Sequence, residues 1–166
     1  VLGVFGGERD REKIIRDETF LLDEFEEYWG GKTEKEYTHP GRIIVGEDNE
    51  IRSTGYNSFV RGLNDTDNSR LERPEKYFWM EHAERNAIYN AARIGVPLKG
   101  CRLYVDNDPC IDCARAIVSV GISKVIIDWA TAQVRREHYK KDKEFIEEQT
   151  RVRTMFPECG VVVHEI

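Results

Sequence analysis

The sequence predicts one α/β domain of three layers, in which helices cover both faces of a central five-stranded mixed sheet. The chain has 166 residues, of which 40% are hydrophobic, and this is enough for one sizeable core. Segments with helical spacing alternate with short runs rich in Val and Ile. Such alternation favours a layered α/β architecture. We treat residues 1–166 as a single domain with an N-terminal helix and loop (1–40), a central core (41–130) and a C-terminal helix and strand (131–166).

The N-terminal part predicts a helix over residues 9–29, because apolar residues recur at helical spacing and Gly30-Gly31 ends the run. We expect this helix to pack on the core or on another subunit. Residues 41–46 and 51–56 predict a β-hairpin around the turn at 47–50. The long connection that follows, residues 57–76, has many turn-forming residues, and connections of this length are often functional.

Helical spacing resumes over residues 77–94 and stops at Gly95. We expect the aromatic residues 77–79 to be buried in the core, with a subunit interface as the alternative. Pro109 opens the next helix, for which Asp108 is the candidate N-cap. The predicted elements after residue 94 are a strand at 101–106, a helix at 109–121, a strand at 123–129, a helical segment at 131–156 with a break near Asp142, and a strand at 161–166.

Composition narrows the class of function. The net charge of −6 and the pI of about 5.4 argue against a protein that follows a nucleic-acid backbone. No apolar run approaches the roughly 20 residues of a membrane helix, and no secretory segment is visible. We therefore expect a cytoplasmic protein without a membrane or nucleic-acid partner. The chain begins at Val1 and its first Met is Met80, so we expect the natural start to lie upstream.

Two short stretches contain residues suited to catalysis. One is His82-Ala83-Glu84. The other runs from Pro109 to Cys113 and contains Cys110 and Cys113 as a C-x-x-C motif. Catalytic zinc takes three nitrogen or sulfur ligands and keeps a position open for water. His82, Cys110 and Cys113 supply such a set, and cysteines three apart share one face of a helix. Glu84 can then serve as the general base that accepts a proton from water and returns it to a leaving group.

Other interpretations of the cysteines are a two-disulfide framework, a redox-active C-x-x-C, or a closed structural zinc site with Cys101 as fourth ligand. A domain of this length does not need disulfides, and a structural site would leave Glu84 without a role. We expect Cys101 and Cys159 to be small buried residues.

H-x-E followed by P-C-x-x-C is the signature of zinc-dependent nucleobase deaminases. The chain resembles the cytidine/deoxycytidylate deaminase superfamily, and within it the dCMP deaminase branch. The resemblance covers roughly residues 41–130, the zinc-site core. It is carried by residues 55–57 (GYN), 82–93 (HAERNAIYNAAR) and 109–113 (PCIDC).

The resemblance implies a cytidine-deaminase-like fold, a Zn²⁺ cofactor held by His82, Cys110 and Cys113, and Glu84 as proton shuttle. It also implies three contacts with a nucleotide substrate. The Ala83 N–H would hold the pyrimidine O2, Asn57 the sugar hydroxyl, and Arg93 the 5′-phosphate. A guanidinium suits phosphate binding, although a surface ion pair is the alternative for Arg93.

Two departures from that branch affect the expected substrate and its regulation. Asn57 is followed by residues 58–60 (SFV) instead of Gly and a nearby Pro, at positions that contribute to nucleoside-triphosphate regulation in relatives. Residues 128–131 (DWAT) replace a segment with a substrate-holding Tyr.

The first hypothesis is hydrolytic deamination of a cytosine nucleotide, dCMP to dUMP and ammonia, by a homo-oligomer. The alternatives are a deaminase of a free pyrimidine, nucleoside or modified nucleotide, a tRNA adenosine deaminase, and a non-catalytic zinc-stabilised module that assembles through the N-terminal helix.

Overall fold

A computed structural model describes residues 41–64 and 66–166. The helix predicted over residues 9–29 therefore lies outside the described residues. The strands, β1 to β7 in chain order, are Arg42–Val45, Ile51–Gly55, Ser58–Phe59, Met80–Glu81, Arg102–Val105, Lys124–Ile127 and Val162–Glu165. The helices, α1 to α5, are Lys76–Trp79, Ala83–Ile94, Ile111–Ser119, Trp129–His138 and Lys143–Glu158, with a 3₁₀ turn at Asn68–Leu71.

Five strands form the predicted mixed sheet, in the order β2-β1-β5-β6-β7. Strand β1 runs antiparallel to both β2 and β5, whereas β5, β6 and β7 are parallel. Parallel neighbours need crossover connections, and α3 and the α4–α5 pair provide them. Strands β3 and β4 form a separate two-stranded sheet beside the first turn of α2. The five-stranded mixed sheet is confirmed.

The main core lies between one face of the sheet and helices α2, α3 and α5. Alternate residues of the strands point to this face, as the two-residue period of a strand requires. Its buried members include Ile44, Leu103, Val105, Val125 and Ile127 from the sheet and Ala87, Ala114, Ile117, Val152 and Phe156 from the helices. The opposite face carries a second buried cluster of Ile43, Val45, Tyr104 and Ile126.

The helix predicted over residues 77–94 is wrong at its start. Residues 76–79 form the short α1, β4 follows, and α2 begins only at Ala83. Apolar spacing misled the prediction, because a short strand follows the aromatic residues and interrupts the helical run before α2. Tyr77 is 63% exposed and Phe78 76% exposed, so their expected burial is also wrong. The end is confirmed, since Gly95 adopts a left-handed conformation with φ of 72°.

The predictions for single residues have mixed outcomes. The break near Asp142 is confirmed, because its side chain caps α5 by accepting hydrogen bonds from the Glu144 and Phe145 amides. Asp108 is not an N-cap, because Cys110 takes that position and Asp108 is buried in an ion pair. Cys101 is buried as expected, whereas Cys159 is exposed.

Within the described ranges 41–64 and 66–166, no helix combines the length and the apolar character needed to cross a bilayer.

Candidate metal centre and active site

The start of α2 sets the position of His82, the residue before its first turn. His82 is the N-cap and has extended dihedral angles, with φ of −72° and ψ of 148°. Its side chain therefore projects from the helix end instead of lying on the helix surface. Glu84 follows in the first helical turn and is buried, with 5% of its surface exposed.

The start of α3 sets the position of the two cysteines. Cys110 is the N-cap of α3, and its Sγ accepts a hydrogen bond from the Cys113 amide at 3.5 Å. N-cap residues normally use an oxygen for this purpose. Here the cap places one sulfur at the helix end and the other in its first turn. The N-termini of α2 and α3 therefore converge on one point.

His82, Cys110 and Cys113 form a group of candidate metal ligands whose donor atoms all lie within 4.8 Å of one another. His82 Nδ1 is 3.4 Å from Cys110 Sγ and 3.5 Å from Cys113 Sγ. Zinc–sulfur and zinc–nitrogen bonds of ordinary length, arranged tetrahedrally, separate N and S by about 3.6 Å. The three side chains fit zinc in both donor type and spacing. Cys101 is not in this group, so the geometry does not support a closed site through that residue.

The protonation states of the ligands are coupled. The Cys113 thiol and the His82 ring both hydrogen-bond to Cys110, and they lower the pKa of its thiol. The same contact with Cys110, together with burial, raises the pKa of Cys113. Hydrogen bonding to Cys110 raises the pKa of His82. These contacts favour a thiolate at Cys110 and a thiol at Cys113, and Cys113 must lose its proton before it can bind a metal ion.

The Glu84 carboxylate has two different neighbours. Its Oε2 lies 3.6 Å from Cys113 Sγ, and its Oε1 accepts a hydrogen bond from Arg42 Nε at 3.1 Å. Burial acts to raise the pKa of Glu84, but the Arg42 guanidinium and the backbone amide outweigh it and hold that pKa below its usual range. Glu84 is therefore ionised and directs one oxygen towards the ligand group.

Arg42 also forms an ion pair with Asp106, the residue that follows β5. Only 5% of the Arg42 side chain and 11% of the Asp106 side chain are exposed. The result is a buried row of three charges, Glu84–Arg42–Asp106. Burial raises the pKa of Asp106, and the Arg42 charge only partly opposes this.

The predicted substrate residues lie at different distances from the metal ligands. Asn57 Oδ1 accepts the Ala83 N–H at 2.8 Å, beside His82. The N–H predicted to hold the pyrimidine O2 is therefore hydrogen-bonded to Asn57 and must exchange partners when a base binds. Arg93 is exposed in the last turn of α2, eleven residues beyond His82. At the helical rise, this is about 16 Å along the axis. Arg93 lines a groove of about 510 Å³ that also contains Arg61 and Asn90.

A second set of contacts holds the loop that carries Cys110. Arg136 donates to both oxygens of Asp108 at 2.6 and 2.7 Å. Gln149 Nε2 donates to the Pro109 carbonyl at 3.2 Å, and Glu148 accepts the Ile111 amide at 3.1 Å. Helices α4 and α5 thus fix three successive parts of the segment 108–111.

Sequence reasoning missed Arg42, Asp106 and this loop network. The only sign of Arg42 in the sequence is a charged residue at the start of a strand that is otherwise apolar. Asp106 and Asp108 lie in the short segment before Pro109, where acidic residues also suit an ordinary turn. Their partners are distant in the sequence, so only the tertiary structure reveals the pairs.

Comparisons with known proteins agree with this geometry. Residues 16–128 match the sequence family described as the cytidine and deoxycytidylate deaminase zinc-binding region. Human deoxycytidylate deaminase is 38% identical over 93 residues, which cover 52% of this chain and 50% of that protein. A protein of Aliivibrio fischeri named "Uncharacterized deaminase in luxG 3'region" is 41% identical over 88 residues, covering 53% of this chain and 56% of that protein. This chain thus spans about half the length of these curated relatives.

Among solved structures, the dCMP deaminase of cyanophage S-TIM5 in its apo form aligns with a TM-score of 0.56 and 20% identity. The alignment covers 93% of this chain and 98% of that one. This likeness confirms the cytidine-deaminase-like fold. The family match over residues 16–128 shows that the chain belongs to the cytidine and deoxycytidylate deaminase zinc-binding family.

Proposed function

We propose that this protein is a zinc-dependent hydrolase that deaminates a cytosine nucleotide, with dCMP as substrate and dUMP and ammonia as products. The observation that carries the proposal is the joint placement of the His82, Cys110 and Cys113 donor atoms within 4.8 Å, with a Glu84 oxygen 3.6 Å from Cys113 Sγ. The resemblance to human deoxycytidylate deaminase supports the choice of substrate.

His82, Cys110 and Cys113 would hold the zinc ion. When bound, zinc supplies a Lewis acid that lowers the pKa of water and makes a nucleophile available at neutral pH. Two thiolates and a neutral imidazole balance the charge of the ion. The site therefore places a neutral metal centre beside an ionised carboxylate.

Glu84 would move the protons. Its Oε2, the oxygen that Arg42 does not hold, would accept a proton from the attacking water and deliver it to N3 of the cytosine ring, while the water oxygen adds at C4. In the second half of the reaction Glu84 takes the proton of the hydroxyl that is now on C4 and passes it to the exocyclic amine. The C4=O bond forms as the C4–N bond breaks. One water is consumed, and one ammonia and one uracil nucleotide are formed.

Asn57, Ala83 and Arg93 would bind the substrate. The Asn57–Ala83 hydrogen bond places an amide side chain and a helix N-terminal N–H beside the ligand group, where a base and its sugar would enter. Arg93 would hold the 5′-phosphate if the nucleotide lies along α2, over the groove that Arg93 lines. Its exposed guanidinium supports this role.

Another aminated base, such as a free pyrimidine, a nucleoside or a modified nucleotide, is the second candidate substrate. Trp129 favours it, because a 52% exposed indole begins α4 directly after β6 in the segment that departs from the dCMP deaminase pattern. An exposed aromatic ring at this edge can stack against the face of a base.

We also propose that residues 1–166 form one domain. We propose further that the protein is a homo-oligomer and that it acts in the cytoplasm. Val152, Phe156 and Val161 of the C-terminal part share the main core with the zinc-site part, which supports a single domain. The exposed Tyr77 and Phe78 support an interface between subunits. Light scattering on the zinc-loaded protein would give its stoichiometry.

The test of the function is ammonia release by the zinc-loaded protein, with dCMP, CMP, deoxycytidine and cytosine assayed side by side. We expect the highest kcat/KM with dCMP and one uracil product per ammonia. Turnover of the unphosphorylated compounds alone would favour the second candidate. Absence of ammonia from a zinc-loaded protein on every compound would contradict cytosine deamination.

A further inference from the structure

Arg42 is a charged residue in an apolar place. It opens β1, every residue of which is buried, and only 5% of its side chain is exposed. A buried guanidinium is costly unless each of its donors meets an acceptor. The partners of Arg42 therefore indicate what the residue does in the fold.

Three parts of the guanidinium meet three different acceptors. Nε donates to Glu84 Oε1 at 3.1 Å, Nη2 forms the ion pair with Asp106, and Nη1 donates to the Gly41 carbonyl at 3.1 Å. A planar group held at three points has a fixed orientation. The direction of its Nε–H, and of the Glu84 oxygen that accepts it, is fixed with it.

The contact sets the direction of the reacting carboxylate. A carboxyl group that gives Oε1 to Arg42 must turn Oε2 the other way, and Oε2 lies 3.6 Å from Cys113 Sγ. Without the Arg42 contact, Oε1 of Glu84 would lose the hydrogen bond that orients it, and the last bond of the side chain has a broad torsional preference. Misplacement of a catalytic group by about 1 Å lowers a rate by about 100-fold.

We propose that Arg42 is a positioning residue for Glu84. The inference rests on the proposed function, in which Glu84 transfers the protons. The competing explanation is that Arg42 only neutralises two buried carboxylates and that its orientation has no influence on the reaction.

A charge-balanced double variant separates the two explanations. Arg42→Met combined with Asp106→Asn removes one positive and one negative charge, so the row keeps its net charge of −1. Asp106→Asn alone is the matched control, because the hydrogen bond between Arg42 and Glu84 remains. Both variants are loaded with zinc, their metal content and thermal unfolding are measured, and kcat and KM are determined separately.

We expect the double variant to bind one zinc ion and to bind substrate with a KM near that of the parent protein, while kcat falls by about 100-fold. We expect Asp106→Asn to keep most of the parent kcat. A double variant with the parent kcat would overturn the proposal. So would an Asp106→Asn variant that loses as much activity as the double variant.

Two further measurements cover the remaining cases. If the double variant does not fold, Arg42→Lys keeps the charge but lacks the forked donors, and a parent-like kcat in this variant overturns the proposal. If the parent protein deaminates nothing, the proposed function fails, and crystal structures of the zinc-loaded parent and double variant decide the role of Arg42. An unchanged Glu84 carboxylate in the double variant would refute positioning, and a rotated one would support it.

Discussion

Arg136 holds Asp108 by two hydrogen bonds, 2.6 and 2.7 Å long, at a point two residues before the metal-ligand candidate Cys110. Arg136 also forms an ion pair with Glu165 of the edge strand β7. The pair with Asp108 raises the pKa of Arg136 further above its usual value. The Arg136 side chain thus connects helix α4 and the last strand to the loop that carries Cys110.

Removal of this connection should weaken zinc binding. We expect Arg136→Met to lower the zinc affinity by about tenfold, because outer contacts that orient metal ligands typically change affinity by 10- to 100-fold. Competition with a coloured chelator measures the effect. Arg151→Met is the matched control, since Arg151 on α5 is 64% exposed in its pair with Glu147 and exposed pairs contribute little. Equal zinc affinities for the two variants would contradict the claim that the Arg136–Asp108 pair positions the loop that carries Cys110.

Gly55 at the end of β2 should tolerate no side chain. A Cβ at this position would lie 2.3 Å from the Ala87 amide nitrogen and 2.4 Å from the Ala83 carbonyl oxygen. These are backbone atoms of α2, so the helix that carries Glu84 would have to move. We expect Gly55→Ala to lower the free energy of unfolding of the zinc-loaded protein by at least about 2 kcal/mol, as overpacked cores do.

Gly46→Ala is the control for that measurement. The three atoms nearest to its Cβ would all belong to the end of the Glu50 side chain, which can rotate away. Urea unfolding should therefore give Gly46→Ala nearly the parent stability. If Gly55→Ala were as stable as Gly46→Ala, the close packing of β2 on α2 would be wrong.

Zinc affinity should increase with pH. Hydrogen bonding to Cys110 and burial raise the pKa of Cys113 in the metal-free fold, so this thiol keeps its proton at neutral pH and must release it to bind zinc. The lowered pKa of Cys110 means that this residue is already a thiolate. If one proton is released when zinc binds, the zinc affinity rises by about tenfold for each unit of pH. Chelator competition between pH 6.5 and 8 tests the sign, and a constant or falling affinity would contradict the assignment of Cys113 as a ligand.

Arg93→Glu should affect phosphorylated substrates selectively. A negative side chain repels a 5′-phosphate, so we expect KM for dCMP to rise by at least about tenfold while deoxycytidine turnover stays constant. Arg151→Glu makes the same change of charge on an exposed part of α5 and serves as control. If Arg93→Glu lowers turnover of dCMP and deoxycytidine equally, Arg93 has a structural role and does not bind the phosphate.

Local sequence patterns predicted the elements whose signals are local. Short apolar runs predicted β1, β5, β6 and β7, and Gly95 predicted the end of α2. The ligand group was predictable because Cys110 and Cys113 have the spacing of metal ligands, and because H-x-E followed by P-C-x-x-C is a known signature. The strand order was not predictable from local patterns, because strand pairing joins segments that are distant in the chain.

The errors have one physical origin. Tyr77 and Phe78 suggested burial by their hydrophobicity, but α1 is only one turn long and leaves them on the surface. Arg42 and Glu84 are 42 residues apart in the sequence, and neither residue type predicts the other. A contact made by tertiary packing has no local pattern, so the residues around Glu84 were found only in the structure.

The most direct test of the account is the activity of zinc-loaded Glu84→Gln with dCMP. Gln keeps the size of Glu84 but cannot accept and deliver a proton. We expect this variant to bind one zinc ion per chain, to unfold near the temperature of the parent protein and to release almost no ammonia, whereas Glu147→Gln on the exposed face of α5 keeps the parent rate. A zinc-loaded Glu84→Gln protein that deaminates dCMP at the parent rate would contradict the account.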